Sequence, residues 1–261
     1  MENHYRDAIS LYLSLVPMPQ NIYDEPAFFE GYKSLRQGDT GLNGSLEVPA
    51  LRELLPNLSN ARILDIGCGF GDFARHARLA GACSVIGLDV SQNMISEARR
   101  LTDDILIDYV CSSIEGYAPP SQSFDLVVSS LALHYVDDYK AVVEKVYNCL
   151  TAGGRFIFSV EHPVCTANPI GWLKDDEGLP TSWPLDRYQD EGMRQTKWFV
   201  DDVLKYHRTV ESYVGELLKA GFRLDHLKEP KPTDEALAER PSLSTNLRRP
   251  PFLLLAATKL V

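Results

Sequence analysis

The chain has 261 residues, which suits one α/β domain that carries a cap or an insertion. Its formal net charge of −10 repels phosphate backbones, so we expect no nucleic-acid partner. No apolar run approaches the roughly 20 residues that a membrane helix needs, so we expect no membrane partner and a cytoplasmic protein. The five cysteines are scattered and form no C-x-x-C pair, which argues for reduced thiols and against a metal site.

The N-terminal part of the chain is predicted to form a helical cap. Apolar periodicity predicts a helix over residues 5–16 and a second one over residues 45–56, which ends near Pro56. Between them lies an aromatic segment punctuated by glycine, IYDEPAFFEGYKSLRQGDTGLN. We therefore assign residues 1–60 to an N-terminal cap.

From residue 61 the pattern changes to short apolar strands that alternate with helices. The strands read RILDIG, SVIGLDV, ILIDYV, FDLVVSS and RFIFSVE, and helices begin at Gly71, at Ser91 and near residue 137. Fully apolar strands of this kind belong to a parallel sheet that helices cover on both faces. Ser91 is placed to accept hydrogen bonds from the first free N–H groups of its helix. Residues 61–161 are therefore the predicted core of the domain.

The alternation of strands and helices stops after residue 161. Residues 162–206 are rich in Pro, Trp, Asp and Gly, which predicts a long loop or lid. Helical periodicity returns over 208–220, and two strands, FRLDHLKE and FLLLAATKL, close the chain. The polar, Pro-rich stretch 230–250 between these strands predicts a flexible connection. The whole chain is thus expected to be a single domain, which residues 207–261 complete.

Three glycines at alternate positions follow the first core strand, in LDIGCGFG. Gly67, Gly69 and Gly71 leave the backbone bare at a helix N-terminus, where a ligand can approach main-chain N–H groups. The pattern D-x-G-x-G-x-G is neither the dinucleotide fingerprint nor the P-loop. Asp89 ends the next strand, and a carboxylate there can accept both hydroxyls of a ribose. The plain alternative is a tight turn between strand and helix with an acid at the surface.

These residues carry a resemblance to a known family. The stretches LDIGCGFG, GLDVSQNMI, SFDLVVSSLALHYV and LTAGGRFIFSVEHP resemble the class I S-adenosylmethionine (SAM)-dependent methyltransferases of the small-molecule type 11 group. The resemblance implies a Rossmann-like, seven-stranded, mostly parallel sheet whose last strand is antiparallel, with helices on both faces. It also implies a helical N-terminal cap, a lid insertion after the fifth strand, SAM as the cofactor and S-adenosylhomocysteine as the product.

The resemblance further implies roles for residues at the methionine and ribose end of the cofactor. Asp65 would orient the glycine turn and the methionine ammonium, while Gly67 and Gly69 would face the methionine and ribose moieties. Asp89 would hold the ribose hydroxyls. The carbonyl of Leu131, which follows the fourth strand, would contact the sulfonium arm.

The adenine end of the cofactor is assigned by the same resemblance. Val90 and Met94 would contact the face of the adenine ring. Ser113 and Ile114 fall where the family often has an acid and a small residue at the adenine edge. The acid is absent here, so the amino group of adenine is left to Ser113, a water or a backbone carbonyl.

The cap supplies further candidates, Tyr32 and Arg36. The planar guanidinium of Arg36 could clamp the methionine carboxylate, or it could be a surface charge on a helix. Aromatic residues outside the core could roof an apolar acceptor and shield the sulfonium, or simply give the cap and the insertion a core of their own. They are Tyr23, Phe28 and Phe29 of the cap and Trp172, Trp183, Tyr188, Trp198 and Phe199 of the insertion.

Methyl transfer needs mainly positioning, because the sulfonium already activates the methyl group. A general base is needed only where the acceptor loses a proton, and the candidates are His134, Glu161, His162 and His207. Each has a structural alternative. His134 could pack beneath the cofactor, His162 could set a turn, and Glu161 could bind the acceptor or form an ion pair with Arg208. His207 is expected at the start of a late helix.

The sequence favours transfer of a methyl group from SAM to an O or N atom of a small molecule. The aromatic lid motivates an alternative in which SAM itself is the substrate and is cyclised or cleaved with release of methylthioadenosine. A non-catalytic SAM-binding protein is a third class. The sequence leaves a homodimer open.

Overall fold

The computed structural model describes residues 20–37, 41–168 and 170–260, so the helix predicted over 5–16 lies outside the described residues. The strands are β1 (Arg62–Ile66), β2 (Ser84–Asp89), β3 (Ile107–Cys111), β4 (Phe124–Ser130), β5 (Leu150–Glu161), β6 (Leu173–Lys174), β7 (Pro180–Ser182), β8 (Gly192–Trp198), β9 (Val200–His207), β10 (Phe222–Lys228) and β11 (Phe252–Lys259). The helices are α1 (Pro26–Gln37), α2 (Val48–Leu54), α3 (Asp72–Leu79), α4 (Gln92–Arg100), α5 (Tyr139–Cys149), α6 (Pro163–Thr166), α7 (Val210–Lys219) and α8 (Asp234–Glu239).

Seven of these strands form one sheet in the order β10-β11-β5-β4-β1-β2-β3. The strands from β5 to β3 pair in parallel, and β11 runs antiparallel to both β5 and β10. This is the predicted Rossmann-like sheet with an antiparallel last strand, and the prediction is confirmed. Among the described residues, no helix is both long and apolar enough to cross a bilayer.

The side chains of the central strands divide between the two faces of the sheet with a period of two. On β5, Phe156 and Phe158 face one side, where α5 and α7 cover them, while Ile157 faces the other side. That second side is covered by α2, α3 and α4. Because both faces are covered, the strands read as continuous apolar runs in the sequence.

Polar caps start several of these helices. The Ser91 hydroxyl accepts a hydrogen bond from the Met94 N–H at 3.0 Å, which confirms the predicted cap of α4. Asp138 caps α5 in the same way, and Thr209 caps α7. The caps satisfy N–H groups that have no partner inside the helix, and so they fix where each helix begins.

Three predicted segments differ from the structure. The helix expected over 45–56 is shorter, because a π turn (Asn43–Glu47) precedes α2. Residues 162–206 are not a featureless loop, since they contain α6 and two hairpins, β6–β7 and β8–β9. The stretch 230–250 contains α8 and a 3-10 turn (Pro241–Leu247), in which apolar and amide side chains are buried.

Candidate active site

The glycine turn lies at the carboxyl end of β1, where parallel strands present a common edge to ligands. Gly67, Gly69 and Gly71 have φ values of +74°, +52° and +76°, a region that disfavours other residues. A Cβ on Gly67 would lie 2.4 Å from the Cβ of Ala132, and one on Gly71 would lie 2.0 Å from the Tyr109 hydroxyl. A Cβ on Gly69 would have nothing within 4 Å. Gly67 and Gly71 thus serve packing, whereas Gly69 borders open space.

Asp65 is a buried carboxylate near the end of β1. Its side chain is 2% exposed, and its Oδ2 atom has no hydrogen-bond partner among the described residues. Burial raises the pKa of Asp65 to about 8, and the charges of Asp89 and Asp72 add to the effect. A buried oxygen without a donor is unfavourable unless a ligand supplies one. The ammonium of a bound SAM molecule is a donor of the required charge, so this residue fits the cofactor.

Asp89 ends β2 and connects the glycine turn to the next helix. Its Oδ2 atom accepts from the Gly69 N–H at 2.9 Å, and its Oδ1 atom accepts from the Ser91 N–H at 2.9 Å. Burial raises the pKa of Asp89 to about 6, although these N–H groups act in the opposite direction. Each carboxylate oxygen keeps a second lone pair, so both can still accept a ribose hydroxyl.

Of the residues expected around adenine, Val90 follows β2, Met94 lies in the first turn of α4, and Ser113 and Ile114 follow β3. Met94 and Ile114 are buried, while Val90 and Ser113 are half-buried. The chain after β3 stays hydrogen-bonded to the end of β2, because the Asp89 carbonyl accepts from the Ser112 N–H at 2.9 Å. The Ser113 hydroxyl accepts from the Gly116 N–H at 3.1 Å, which leaves its own proton for a further acceptor. The four residues thus lie at the same sheet edge as the glycine turn, and their adenine contacts stay a prediction.

Leu131 follows β4 with a φ of +53°, which is strained for a residue with a side chain. Its N–H donates to the carbonyl of Ser159 at 3.1 Å and to the Ser159 hydroxyl at 3.0 Å. These contacts fix the turn at the edge where the resemblance places the sulfonium arm. The contact of the Leu131 carbonyl with that arm remains a prediction.

Glu47 is a site residue that the sequence analysis missed. It is fully buried, and its Oε1 atom accepts from the Ser130 hydroxyl at 2.9 Å and from the Ser159 hydroxyl at 2.5 Å. Glu47 thus connects the cap to the ends of β4 and β5. One signal was available, because Glu47 precedes Leu51 and Leu54 by four and seven residues and so shares their apolar helical face.

Asp24, also missed, connects the cap to the start of α4. Its Oδ1 atom accepts from the Asn93 N–H at 3.0 Å and from the Ser91 hydroxyl at 2.6 Å, and its Oδ2 atom accepts from the Gln92 N–H at 3.2 Å. Burial opposes the ionised form, but these hydrogen bonds outweigh it and lower the pKa of Asp24. A carboxylate at a helix N-terminus is also favoured by the helix dipole.

Arg36 contacts protein groups. Its Nη2 atom donates to the Asp72 carboxylate at 2.8 Å, and its Nη1 atom donates to the side-chain oxygen of Asn43. The Asn43 amide in turn donates to Glu47 at 2.7 Å. Arg36 is therefore held between α1, α3 and the π turn. The clamp on a methionine carboxylate stays a prediction, and it requires Arg36 to share its donors with Asp72.

An aromatic roof covers this edge of the sheet. Tyr32 packs against Tyr23, Phe70 and Trp198, with ring centroids 5.3, 5.8 and 6.2 Å away. Burial raises the pKa of Tyr32 to about 12. Phe199, at the tip of the β8–β9 hairpin, contacts the roof through Phe28. The complete roof consists of Tyr23, Phe28, Phe29, Tyr32, Phe70, Tyr135, Trp198 and Phe199.

The remaining aromatic residues of the insertion lie apart from the roof. Trp172 and Trp183 pack against each other, with centroids 5.3 Å apart. Tyr188 packs against His207 at 5.6 Å. These residues therefore pack within the insertion, and a role of the aromatic roof in covering the acceptor or shielding the sulfonium stays a prediction.

Two of the four candidate bases have both ring nitrogens occupied. His162 accepts from the Val164 N–H at 3.1 Å through Nδ1, and its Nε2 lies 2.8 Å from a Glu229 oxygen. His207 ends β9 and does not begin a helix as expected, and its Nε2 donates to the Tyr188 carbonyl at 2.9 Å. Its Nδ1 lies 2.7 Å from the Thr166 hydroxyl. Neither ring has a nitrogen left for a substrate, so the geometry argues against both as bases.

Glu161 and His134 lie together at the ends of β5 and β4. Glu161 accepts from Lys205 at 2.6 Å, and the alternative of an ion pair with Arg208 is wrong, because Arg208 donates to the carbonyl of Val136 instead. The Glu161 N–H donates to His134 Nδ1 at 3.3 Å. Burial and, to a lesser degree, the charges of Lys205 and Arg208 lower the pKa of His134 well below its ordinary value. The neutral His134 ring therefore carries its proton on Nε2.

Relatives of known and unknown role match this chain. The model of the methyltransferase domain family matches residues 64–158. An uncharacterised protein of Haemophilus influenzae is 32% identical over 257 residues, covering 92% of this chain and 97% of its own. A ubiquinone/menaquinone biosynthesis C-methyltransferase of Xanthomonas oryzae is 32% identical over 64% of this chain and 68% of its own length. A malonyl-[acyl-carrier protein] O-methyltransferase of Enterobacter lignolyticus is 40% identical over 42% of this chain and 43% of its own.

Two solved structures of methyltransferases are also similar to this chain. A putative SAM-dependent methyltransferase from Listeria monocytogenes has a TM-score of 0.77 and 41% identity, covering 82% of this chain and 98% of its own. A SAM-dependent methyltransferase from Mesorhizobium loti has a TM-score of 0.77 and 43% identity, covering 84% of this chain and 99% of its own. The chain therefore belongs to the class I SAM-dependent methyltransferases, and SAM is its cofactor.

Proposed function

We propose that this methyltransferase acts on an O or N atom of a small-molecule acceptor. The observation that carries the cofactor side is the buried Asp65 oxygen without a donor, at the same edge as Gly69 and Asp89. The named relatives methylate carbon in one case and oxygen in another, so they leave the attacked atom open. An oxygen or nitrogen as the attacked atom is supported by Glu161 and His134, two polar side chains at the ends of β5 and β4 that can hydrogen-bond to such an acceptor.

Each cofactor contact follows from the chemistry of its residue. Asp65 binds the ammonium, and Asp89 binds the ribose hydroxyls while it holds the glycine turn through the Gly69 N–H. Buried Met94 and Ile114 provide an apolar surface for adenine. The chemistry that SAM supplies when bound is an activated methyl group on its sulfonium.

Glu161 and His134 are proposed to handle the acceptor. Glu161 uses Oε2 to bind Lys205, and its Oε1 atom has no hydrogen bond among the described residues, so Oε1 can accept an acceptor O–H or N–H. His134 carries a proton on Nε2 and can donate it in a hydrogen bond to a second polar atom of the acceptor. His162 and His207 keep structural roles, because their rings are already fully hydrogen-bonded.

The aromatic roof is proposed to exclude water from the transfer step. Most of its ring pairs meet edge to face, and Lys205 lies 5.6 Å from the Trp198 centroid. Faces of aromatic rings attract cations, so the roof also suits a sulfonium. The β8–β9 hairpin carries part of this roof, and Gln20 holds the hairpin by accepting from the Leu204 N–H at 2.7 Å.

We assign the chain to a single domain with the divisions expected from the sequence. Residues 1–60 form the cap, 61–161 the core, 162–206 the lid, and 207–261 complete the sheet. Supporting this, the described part of the cap bonds directly into the core through Asp24 and Glu47, so the two parts are expected to unfold together.

The test measures cofactor binding and chemistry separately. SAM affinity is measured by calorimetry for the wild type, Asp65→Asn, Asp89→Ala and the control Asp125→Asn. Asp125 pairs with Arg62 at the other ends of the strands, away from the candidate site. We expect both site variants to weaken SAM binding at least a hundredfold and the control to match the wild type. Release of S-adenosylhomocysteine is then measured with pools of alcohol, amine and phenol acceptors. Methylthioadenosine formed from SAM without an acceptor would contradict methyl transfer.

A further inference from the structure

A second concave surface lies beside the acceptor end of the site. This basic groove has a volume of about 260 Å³ and is lined by two leucines and by Arg240, Ser242, Thr245, Asn246 and Arg249. The described residues that line it include no acidic side chain, although the chain as a whole has a net charge of −10. Arginine on a concave surface favours a ligand of negative charge.

The strand register places one wall of the groove next to Glu161. Phe252, the first residue of β11, pairs with Glu161, the last residue of β5. The His162 N–H also donates to the Pro251 carbonyl at 2.9 Å. Arg249, three residues before Phe252, therefore lies beyond the same edge of the sheet as Glu161.

The opposite wall belongs to the cap. Leu42 precedes the π turn, and in that turn Ser45 accepts from Arg240 at 2.9 Å. The same turn ends in Glu47, whose carboxylate is bound by Ser130 and Ser159 at the ends of β4 and β5. The groove is thus formed by the two segments that border the acceptor side of the sheet.

Arg249 is the groove residue whose charge is not paired with an acidic side chain among the described residues. It is half-buried and has no ion pair among the described residues, and its Nε atom is buried without a hydrogen-bond partner. Its Nη1 atom donates to the Cys165 sulfur at 3.0 Å, and its guanidinium lies 4.3 Å from the Trp183 centroid. The side chain is therefore positioned by packing, and no acidic side chain among the described residues forms an ion pair with it.

We propose that the basic groove binds an oxyanion group of the methyl acceptor, a carboxylate or a phosphate, and so selects anionic small molecules. The inference rests on the proposed function, because the groove borders the proposed acceptor site. A guanidinium group matches either oxyanion, and the Ser242 hydroxyl and the Asn246 amide can donate further hydrogen bonds to it.

The first experiment needs no enzymatic activity. Line broadening of the ³¹P signal of inorganic phosphate and of the ¹³C signal of acetate is measured with protein saturated with S-adenosylhomocysteine. The variant Ser242→Glu places a carboxylate in the groove, and Ser244→Glu makes the same charge change on the same exposed turn outside the lining. Because both serines are exposed, neither change disturbs packing.

We expect wild type and Ser244→Glu to bind one of the two anions at millimolar concentration, and Ser242→Glu to bind it at least tenfold more weakly. Arg249→Gln should show the same loss. The anion bound more tightly identifies the source as a phosphate or a carboxylate. Equal binding by the two glutamate variants, or no binding by the wild type, would overturn the proposal.

The second experiment links the groove to turnover. Acceptors are supplied as matched pairs, a carboxylate or phosphate ester and its neutral amide or triester. For the anionic member, Ser242→Glu should raise KM at least tenfold with little change in kcat, whereas Ser244→Glu should not. If no acceptor is methylated but the groove still binds the anion, the proposed function is wrong and the proposal of an anion-binding groove stands. If neutral acceptors are preferred, the groove has been misassigned.

Discussion

Replacing Asp65 with Asn removes a buried acid while preserving its shape. Burial raises the pKa of Asp65 from 3.8 to about 8. A difference of one in pKa corresponds to about 1.4 kcal/mol, so at pH 7 the folded protein without cofactor is destabilised by about 4 kcal/mol relative to an unperturbed acid. The asparagine cannot ionise and avoids this penalty. Asp65→Asn should therefore stabilise the cofactor-free protein at neutral pH and, because it removes the anion, lose SAM binding.

The sign of the effect follows from which state binds the extra proton. Between pH 4 and pH 8 the folded protein keeps a proton on Asp65 that the unfolded chain releases. The free energy of unfolding of the wild type therefore falls through that window by up to about 1.4 kcal/mol per pH unit from this group. The two proteins should be similar near pH 4 and diverge as the pH rises to 8.

Urea unfolding of cofactor-free protein at pH 4, 5, 6, 7 and 8 measures this difference. Asp125→Asn is the matched control, since Asp125 is ion-paired with Arg62 and hydrogen bonding to Arg62 lowers its pKa. Because the two side chains are 44% and 38% exposed, the loss of this pair should change stability by only about 0–1 kcal/mol. Equal pH slopes for Asp65→Asn and the wild type would refute a protonated, buried Asp65.

Four further outcomes are expected. SAM binding at pH 7 should release close to one proton from Asp65, seen by calorimetry in buffers of different ionisation enthalpy, and no buffer dependence would contradict it. Gly67→Ala should lower Tm through its clash at 2.4 Å, whereas Gly69→Ala, which meets no protein atom within 4 Å, should lose more SAM affinity than stability. Glu161→Gln should lower kcat by about 10²-fold or more for an acceptor that loses a proton, with SAM affinity unchanged. His162→Gln should instead lower the free energy of unfolding by about 1–3 kcal/mol with kcat nearly unchanged. A loss of kcat like that of Glu161→Gln would indicate that His162 acts as a base after all.

The cofactor half of the candidate site could be read from the sequence because its signals are local. Asp65, the glycine turn and Asp89 each lie at the end of a strand that the apolar pattern identifies. Parallel pairing of β1 with β2 then brings those ends to one edge without further information. The predicted helix cap Ser91 is equally local, because it acts within the first turn of its own helix.

The acceptor half depended on contacts between distant parts of the chain. Glu47 binds Ser159, which is 112 residues away, and Lys205 binds Glu161 across 44 residues. From the sequence alone, His162 and His207 had the same claim to act as bases as His134, and only tertiary hydrogen bonds showed that their ring nitrogens are occupied.

The sequence by itself determined the parallel strands and the glycine turn, because strand periodicity and the bare turn are properties of short segments, and the resemblance of those segments to a known family implied the cofactor. Tertiary structure alone decided which polar side chains are already paired and which remain available, since pairing depends on where separate segments pack. Arg249 and Asp65 are the clearest cases. The Nε atom of Arg249 and the Oδ2 atom of Asp65 are buried without a hydrogen-bond partner among the described residues, and only the packed structure shows this.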